Sequence, residues 1–248
     1  MKVKSIIPLF AIVLLASFSS ENFKKEQLTY PNVRAAYKDK WNLVKEKLTK
    51  AGVDTTNFEI FIRVFKQEAK LEVWAKSTRM AQFNLVENYA ICRSSGEPGP
   101  KRMQGDGQVP EGFYQVESFN PQSEFYLALR VNYPNKSDQM KATNGNPGGD
   151  IMIHGNCVTI GCMPLTDDKI KEVYIMAVEA RNSGQQNIPI HIFPTKLNND
   201  GMKQLNGLTN DAEKIKFWTN LQAGYLYFEN KKLIPKVSID KTGDYKVE

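Results

Sequence analysis

The amino-acid sequence predicts a mainly β fold of the α+β class, a sheet or sandwich with helical additions. Three observations predict it. Short runs rich in β-branched and aromatic residues recur along the chain, turn clusters of Gly, Pro and Asn separate them, and few stretches space apolar residues three and four apart.

The chain opens on Met-Lys-Val-Lys and then a mostly apolar run from Ser5 to Ala16, which is signal-peptide anatomy. The run is too short to span a bilayer comfortably. Ser17 and Ser19 permit cleavage after Ser19, and no cysteine follows the run to accept lipid. Residues 1–19 are therefore expected to be a signal peptide, giving an exported protein of the periplasm or cell envelope with no stable membrane span after cleavage. An uncleaved N-terminal anchor is the alternative. Cleavage removes Lys2 and Lys4 and no acid, so the formal net charge of +6 falls by two to +4. A mildly basic surface suits an anionic wall polymer or membrane face and equally suits ordinary solubility. Lys and Arg are scattered rather than set in blocks or aromatic-interleaved stripes, so no nucleic-acid partner is indicated.

Tyr30 to Ala51 carries Val33, Ala36, Tyr37, Trp41, Val44 and Leu48 at helical spacing and stops at Gly52. Phe58–Phe65 and Lys70–Ala75 read as a hairpin, and Phe83–Cys92 as a third strand. From Arg93 to Gly112 glycines and prolines forbid regular structure, and a long ordered loop in a compact domain is usually functional. Phe113–Phe119, Phe125–Asn132 and Asp150–His154 read as further strands. Thr166–Arg181 is a helix with Thr166 at its N-cap, Asp167 and Asp168 in its first turn, and Ile170, Val173, Tyr174, Ala177 and Val178 on one face. Asn187–Phe193 is a β-branched strand ended by Pro194, and the tail holds a helix near Ala212–Leu221 followed by polar strands.

The stretch Ile151-Met-Ile-His-Gly-Asn-Cys-Val-Thr-Ile-Gly-Cys162 concentrates one of the 2 histidines and two of the 3 cysteines of the chain. Four readings are open: a thiol nucleophile with its base, a metal site, a disulfide, or packing. A thiol attacks as thiolate and needs a base or positive surroundings. His154 closes a strand and Cys162 follows Gly161, whose missing side chain lets a substrate approach the flanking N–H groups. A metal would take His154, Cys157 and Cys162, but His-x2-Cys-x4-Cys matches no paired knuckle. A Cys157–Cys162 disulfide closes around a turn. Cys92, ending an apolar strand, reads as a buried small hydrophobe. With an odd number of cysteines, at least one thiol stays free or pairs between chains.

His-Gly, then Thr-x-Gly-Cys, then an acid-capped helix, preceded by Val109-Pro-Glu-Gly-Phe-Tyr114, resembles the YkuD-type L,D-transpeptidase catalytic domain, within it the YafK-like murein L,D-transpeptidase group. Ile62-Arg-Val-Phe-Lys66, Leu71-Glu-Val-Trp74, Ser95-Gly96, Gly99-Pro-Lys101, Gly105–Tyr114 and His191-Ile-Phe-Pro194 extend the likeness over roughly Phe58 to Thr195. The resemblance implies an L,D-transpeptidase-like β-sandwich; no cofactor or metal is expected. It implies a cysteine that attacks a peptidoglycan stem-peptide carbonyl and leaves a thioester, resolved by an amine or by water. Cys162 is then the nucleophile, His154 the general base, and the backbone at Gly161 and Cys162 part of the oxyanion hole. The chain departs from the wider family at Ile160, where a histidine is usual, and at Met163-Pro164, where an isoleucine and an arginine are usual. His191 or a backbone carbonyl must therefore orient His154. Members of the YafK-like group are also associated with hydrolysing the amide that ties an outer-membrane lipoprotein to peptidoglycan, so stem peptides and a wall-attached lipoprotein are the partners implied.

Lys101, Arg102, Gly155 and Thr159 are the candidates for binding the substrate, with His191 and Asp106 in support. Asp106 and Gln108 can shape the loop through side-chain-to-backbone bonds, and Tyr114 is read as packing. The expected organisation is a signal peptide over 1–19, a helical segment over 20–57, the catalytic domain over 58–195 and a small C-terminal extension over 196–248. The alternative from another class is a non-catalytic wall-binding protein with an idle or oxidised Cys157–Cys162 pair.

Overall fold

The computed structural model describes residues 23–248; the expected signal peptide lies outside them. In chain order the elements are α1 (Pro31–Lys50), β1 (Phe58–Phe65), β2 (Lys70–Ser77), β3 (Asn84–Ala90), β4 (Gly112–Ser123), β5 (Tyr126–Val131), α2 (Lys136–Met140) and β6 (Met152–His154). There follow β7 (Met163–Pro164), α3 (Asp167–Asn182), β8 (Pro189–Phe193), α4 (Asn199–Leu208), α5 (Ala212–Lys231), β9 (Val237–Ile239) and β10 (Tyr245–Val247). Among the described residues no helix is long and apolar enough to cross a membrane.

The eight-stranded sheet runs β3-β2-β1-β8-β4-β5-β6-β7. β1 and β2 form the expected hairpin, with Phe58 opposite Ser77 and Phe65 opposite Lys70. β4 spans both leaves of the sheet: Gly112–Gln115 pairs with β8, while Val116–Ser123 pairs with β5 through register shifts. Those irregularities bend the strand, so the sheet curls and encloses a core as a sandwich does.

α3 fills that concavity. Ile170, Val173, Tyr174, Ala177 and Val178 are fully buried, as expected, and so are Glu172 and nearly so Glu179. A buried carboxylate is tolerated only when paired. Glu172 accepts from Lys47 Nζ at 2.5 Å and Tyr89 Oη at 2.9 Å, and Glu179 from Tyr37 Oη at 2.8 Å. These bonds tie α1, whose Val33, Ala36, Val44 and Leu48 form the predicted buried stripe, onto α3.

The opposite face of the sheet is covered by the tail. Phe65, Phe113 and Phe193 pack with Phe217, Trp218, Leu221 and Tyr225 of α5. The helix expected near Ala212–Leu221 continues to Lys231, and Gly224 lets α5 approach the Phe113 ring, where a Cβ would lie 2.5 Å from Phe113 Cζ. α4 was not legible as a helix, since Gly201, Gly207 and its asparagines are weak helix formers. It is nucleated by Asn198, whose side chain accepts the Gly201 N–H at 2.9 Å.

Candidate active site

Parallel pairing of β6 with β7 sets the geometry of the cluster. Ile153 lies opposite Met163 and His154 opposite Pro164, so one step back Cys162 falls beside Met152. Alternation along a strand then puts Cys162 and His154 on the same face as diagonal neighbours. Both line one hollow of about 490 Å³ with Phe125, Met152, Val158 and Ile160. Cys162 also lines a second hollow of about 240 Å³, bounded by Arg93, Ser94, Ser95 and Gly96.

His154 is buried, and its Nδ1 lies 2.5 Å from the Gly155 carbonyl oxygen. A carbonyl only accepts, so Nδ1 carries the proton and Nε2 keeps the basic lone pair. The Phe125 ring lies against the imidazole at 4.6 Å. Burial holds the His154 pKa below its ordinary value, partly offset by the Gly155 bond. Burial likewise pushes the Cys162 thiol up, with Asp150 adding to the rise and the Met152 N–H and Lys101 opposing it. Its S–H donates to the Asp150 carbonyl at 3.5 Å. The resting pair is therefore neutral thiol and neutral imidazole, an arrangement suited to general-base activation rather than a preformed thiolate.

The loop between them is held from several sides. Thr159 Oγ1 accepts the Gly161 N–H at 3.1 Å and donates to the Cys162 carbonyl at 2.8 Å, so Thr159 shapes the turn that carries Cys162. Gly161 has φ +138° and a Cβ there would lie 3.0 Å from the Gln108 carbonyl oxygen, so the position demands glycine. Gly155 is pinned more tightly still, with Asp167 Oδ1 at 2.7 Å and the Phe125 carbonyl at 2.8 Å from a built Cβ. Asp167 also accepts the Asn156 N–H at 2.8 Å, which anchors the loop to the start of α3. Thr166 occupies the N-cap as expected, but its hydroxyl makes no capping bond.

The cysteine pairing corrects two expectations. Cys92 and Cys157 form a disulfide and Cys162 is the free cysteine. The Cys157–Cys162 pair is therefore not formed, and Cys92 is an exposed cross-link rather than a buried hydrophobe. The physical reason is tertiary: the Cys92 N–H bonds the Pro164 carbonyl at 3.0 Å, which brings the end of β3 beside the loop that carries Cys157 and Cys162. With the Cys157 sulfur so engaged, the set His154, Cys157 and Cys162 keeps a single free thiol, that of Cys162.

Other expected residues are placed differently. Lys101 is buried and its Nζ bonds Asp106 Oδ1 at 2.5 Å and the Met103 carbonyl at 2.9 Å. It acts on Cys162 through charge rather than as a free cation. Asp106 organises the loop as anticipated, accepting from the N–H groups of Arg102, Met103 and Gln108. Arg102 turns toward α5, pairing with Asp138 at 3.2 Å and stacking on Phe217. His191 lies between the Phe61 and Phe113 rings, on β8, which β4 and β5 separate from β6 in the sheet order. Of the two proposed supports for His154, the backbone carbonyl makes the contact. Ile160, where the wider family usually has a histidine, is 88% exposed. Sequence reasoning missed Phe125, Asp167 and Arg93, whose roles depend on long-range pairing with no local pattern.

The family model for the L,D-transpeptidase catalytic domain, YkuD, matches residues 59–230. Over 182 residues the chain is 36% identical to the Escherichia coli K12 protein named "Putative L,D-transpeptidase YafK", covering 73% of this chain and 70% of that protein. Among solved structures it is similar to the helical cell shape determining protein Pgp2 of Campylobacter jejuni, with TM-score 0.43, 16% identity and coverage of 79% of this chain and 80% of that one. It is also similar to Bdellovibrio bacteriovorus Bd1075, with TM-score 0.39, 22% identity and coverage of 74% and 75%.

Proposed function

Because the chain belongs to the YkuD family of L,D-transpeptidase catalytic domains, we propose that it is an exported cysteine acyl-transfer enzyme acting on peptidoglycan stem peptides. One observation carries the reading: a single free thiol shares a face and a hollow with an imidazole whose tautomer leaves Nε2 basic. The basic, apolar N-terminus supports export.

In the first half-reaction His154 Nε2 takes the proton of Cys162 while Sγ bonds the stem-peptide carbonyl carbon. The Cys162 N–H is the donor at the nucleophile for the developing oxyanion, because the Gly161 N–H is held by Thr159. The carbon–nitrogen bond then breaks, and the imidazolium proton leaves with the amine. In the second half-reaction an amine, or water, gives its proton to His154, bonds the thioester carbon and releases Sγ as the thiol. Two hollows that meet at Cys162 suit this sequence, since the acyl donor can stay in one while the acceptor enters by the other. An amine acceptor makes the reaction L,D-transpeptidation; water makes it an amidase that releases a wall-linked peptide or lipoprotein.

Purified protein incubated with peptidoglycan fragments and weighed intact should gain the mass of an acyl group, and Cys162→Ala should gain none. The products separate exchange from hydrolysis. No adduct and no turnover on wild type, with Cys162 titrating as a free thiol, would reject the reading in favour of a wall-binding protein.

A further inference from the structure

Cations near the thiol are almost all engaged. Lys66 is bound by Glu111 at 2.9 Å, Lys101 by Asp106 at 2.5 Å, Arg102 by Asp138 at 3.2 Å and Arg130 by Asp150 at 3.0 Å. Arg93 is the exception: among the described residues it has no ion-pair partner, yet it lines both hollows that meet at Cys162.

Its position is fixed by the backbone. Arg93 follows Cys92, whose sulfur is bonded to Cys157 on the nucleophile loop and whose N–H is bonded to Pro164 just past Cys162. The guanidinium is thus carried by a residue tied to both sides of the nucleophile. In the smaller hollow it is joined by Ser95, whose buried Oγ has no hydrogen-bond partner. A buried hydroxyl without a protein partner is uncommon, and rotation about its Cα–Cβ bond would aim it at a ligand oxygen in the hollow. Glu97, the acid that lines this hollow, lies on its exposed loop, whereas the apolar hollow presents Asp150. An anion is therefore favoured in the hollow of Arg93 and Ser95.

We propose that Arg93 and Ser95 form a carboxylate-binding site beside the nucleophile, and that the group it takes is a free carboxylate of the stem peptide. A planar guanidinium matches a carboxylate with two parallel N–H bonds, and the serine hydroxyl supplies a third donor. The identity of the ligand rests on the peptidoglycan reading, but the anion site does not.

The test separates the two. Alkylation of Cys162, the free thiol, is timed with iodoacetate and with iodoacetamide by intact mass, which compares an anionic with a neutral reagent of nearly the same size. The ratio of rates, iodoacetate over iodoacetamide, should fall about threefold to tenfold in Arg93→Gln and less in Arg93→Lys. An equal ratio in wild type and Arg93→Gln overturns the proposal. With stem peptides, Arg93→Gln should raise KM for the free acid more than for its C-terminal amide, with kcat changed less. If the alkylation ratio depends on Arg93 while no stem peptide acylates Cys162, the anion site stands and the peptidoglycan reading fails. Unchanged thermal midpoints show that the exposed substitution leaves the fold intact.

Discussion

Cys92 and Cys157, separated by 65 residues, are joined by a disulfide that bridges the end of β3 to the loop leading to Cys162, with their Cα atoms 5.6 Å apart. The bond restrains a loop that has little regular structure of its own. Closing a loop of this length stabilises a fold by about 4 kcal/mol on the chain-entropy model, with 2–4 typical in practice. The double variant Cys92→Ser/Cys157→Ser is expected to lose about 2–4 kcal/mol in chemical denaturation. It should also weaken the reagent-charge preference of Cys162, since Arg93 then keeps only the tie through the Cys92 N–H to the Pro164 carbonyl. A variant that is destabilised but keeps that preference would show the cross-link to be structural only.

The pH dependence of the thiol follows from burial. Cys162 is held above the ordinary 9.0 and His154 below the ordinary 6.5, so between these values both are neutral. Alkylation of Cys162 by iodoacetamide should climb through neutrality and keep climbing beyond pH 9.0. A plateau reached near pH ~7 would reveal a thiolate–imidazolium pair at rest and contradict this electrostatic picture.

Thr159 is expected to matter for turnover more than for affinity. Thr159→Val keeps the shape but removes both bonds that hold the Gly161–Cys162 turn. A nucleophile displaced by a fraction of an ångström should cost about tenfold in kcat, with stability changed by about 1 kcal/mol. Thr159→Ser should restore the rate. A rise in KM alone would mean that Thr159 contacts substrate instead.

His191 governs acid stability rather than chemistry. Burial, aided by Arg63, depresses its pKa from 6.5 to about 3. The unfolded chain therefore binds the proton first, and stability is lost as pH falls from 6.5 toward 3. Asp138 acts in the opposite sense: burial raises it from 3.8 to about 6 against the pull of Arg102, so its protonation stabilises the fold as pH falls through that window. Comparing wild type with His191→Leu removes the Asp138 contribution. The variant should lose about 3 kcal/mol less between pH 6.5 and 4, and it should still acylate. Parallel stability curves would contradict this, and loss of acylation with an intact fold would return His191 to the site.

The chain announces its local structure because local structure is periodic. Val33 to Leu48 and Ile170 to Val178 repeat at helical spacing, and the runs from Phe58, Lys70 and Asn187 have the composition of strands, so these elements were legible without coordinates. α4 was not, because its glycines and asparagines carry no such period and its start depends on a cap. The pairing of a thiol with an imidazole was legible as well, since Gly161-Cys162 and His154-Gly155 are close in sequence and rare in this composition.

What the sequence by itself determined is the chemistry available: one cluster with a histidine and a thiol, set in a β-rich chain behind a basic, apolar N-terminus. Only the tertiary structure decided which thiol is free, which cation near it has no ion-pair partner among the described residues, and which group orients the imidazole. Cys92 meets Cys157 across 65 residues, Lys101 and Arg102 find carboxylates that disqualify them as free cations, and His191 is carried to the far side of β4 and β5. Each of these outcomes depends on strand pairing and burial between distant segments, and such contacts leave no period in the sequence that makes them.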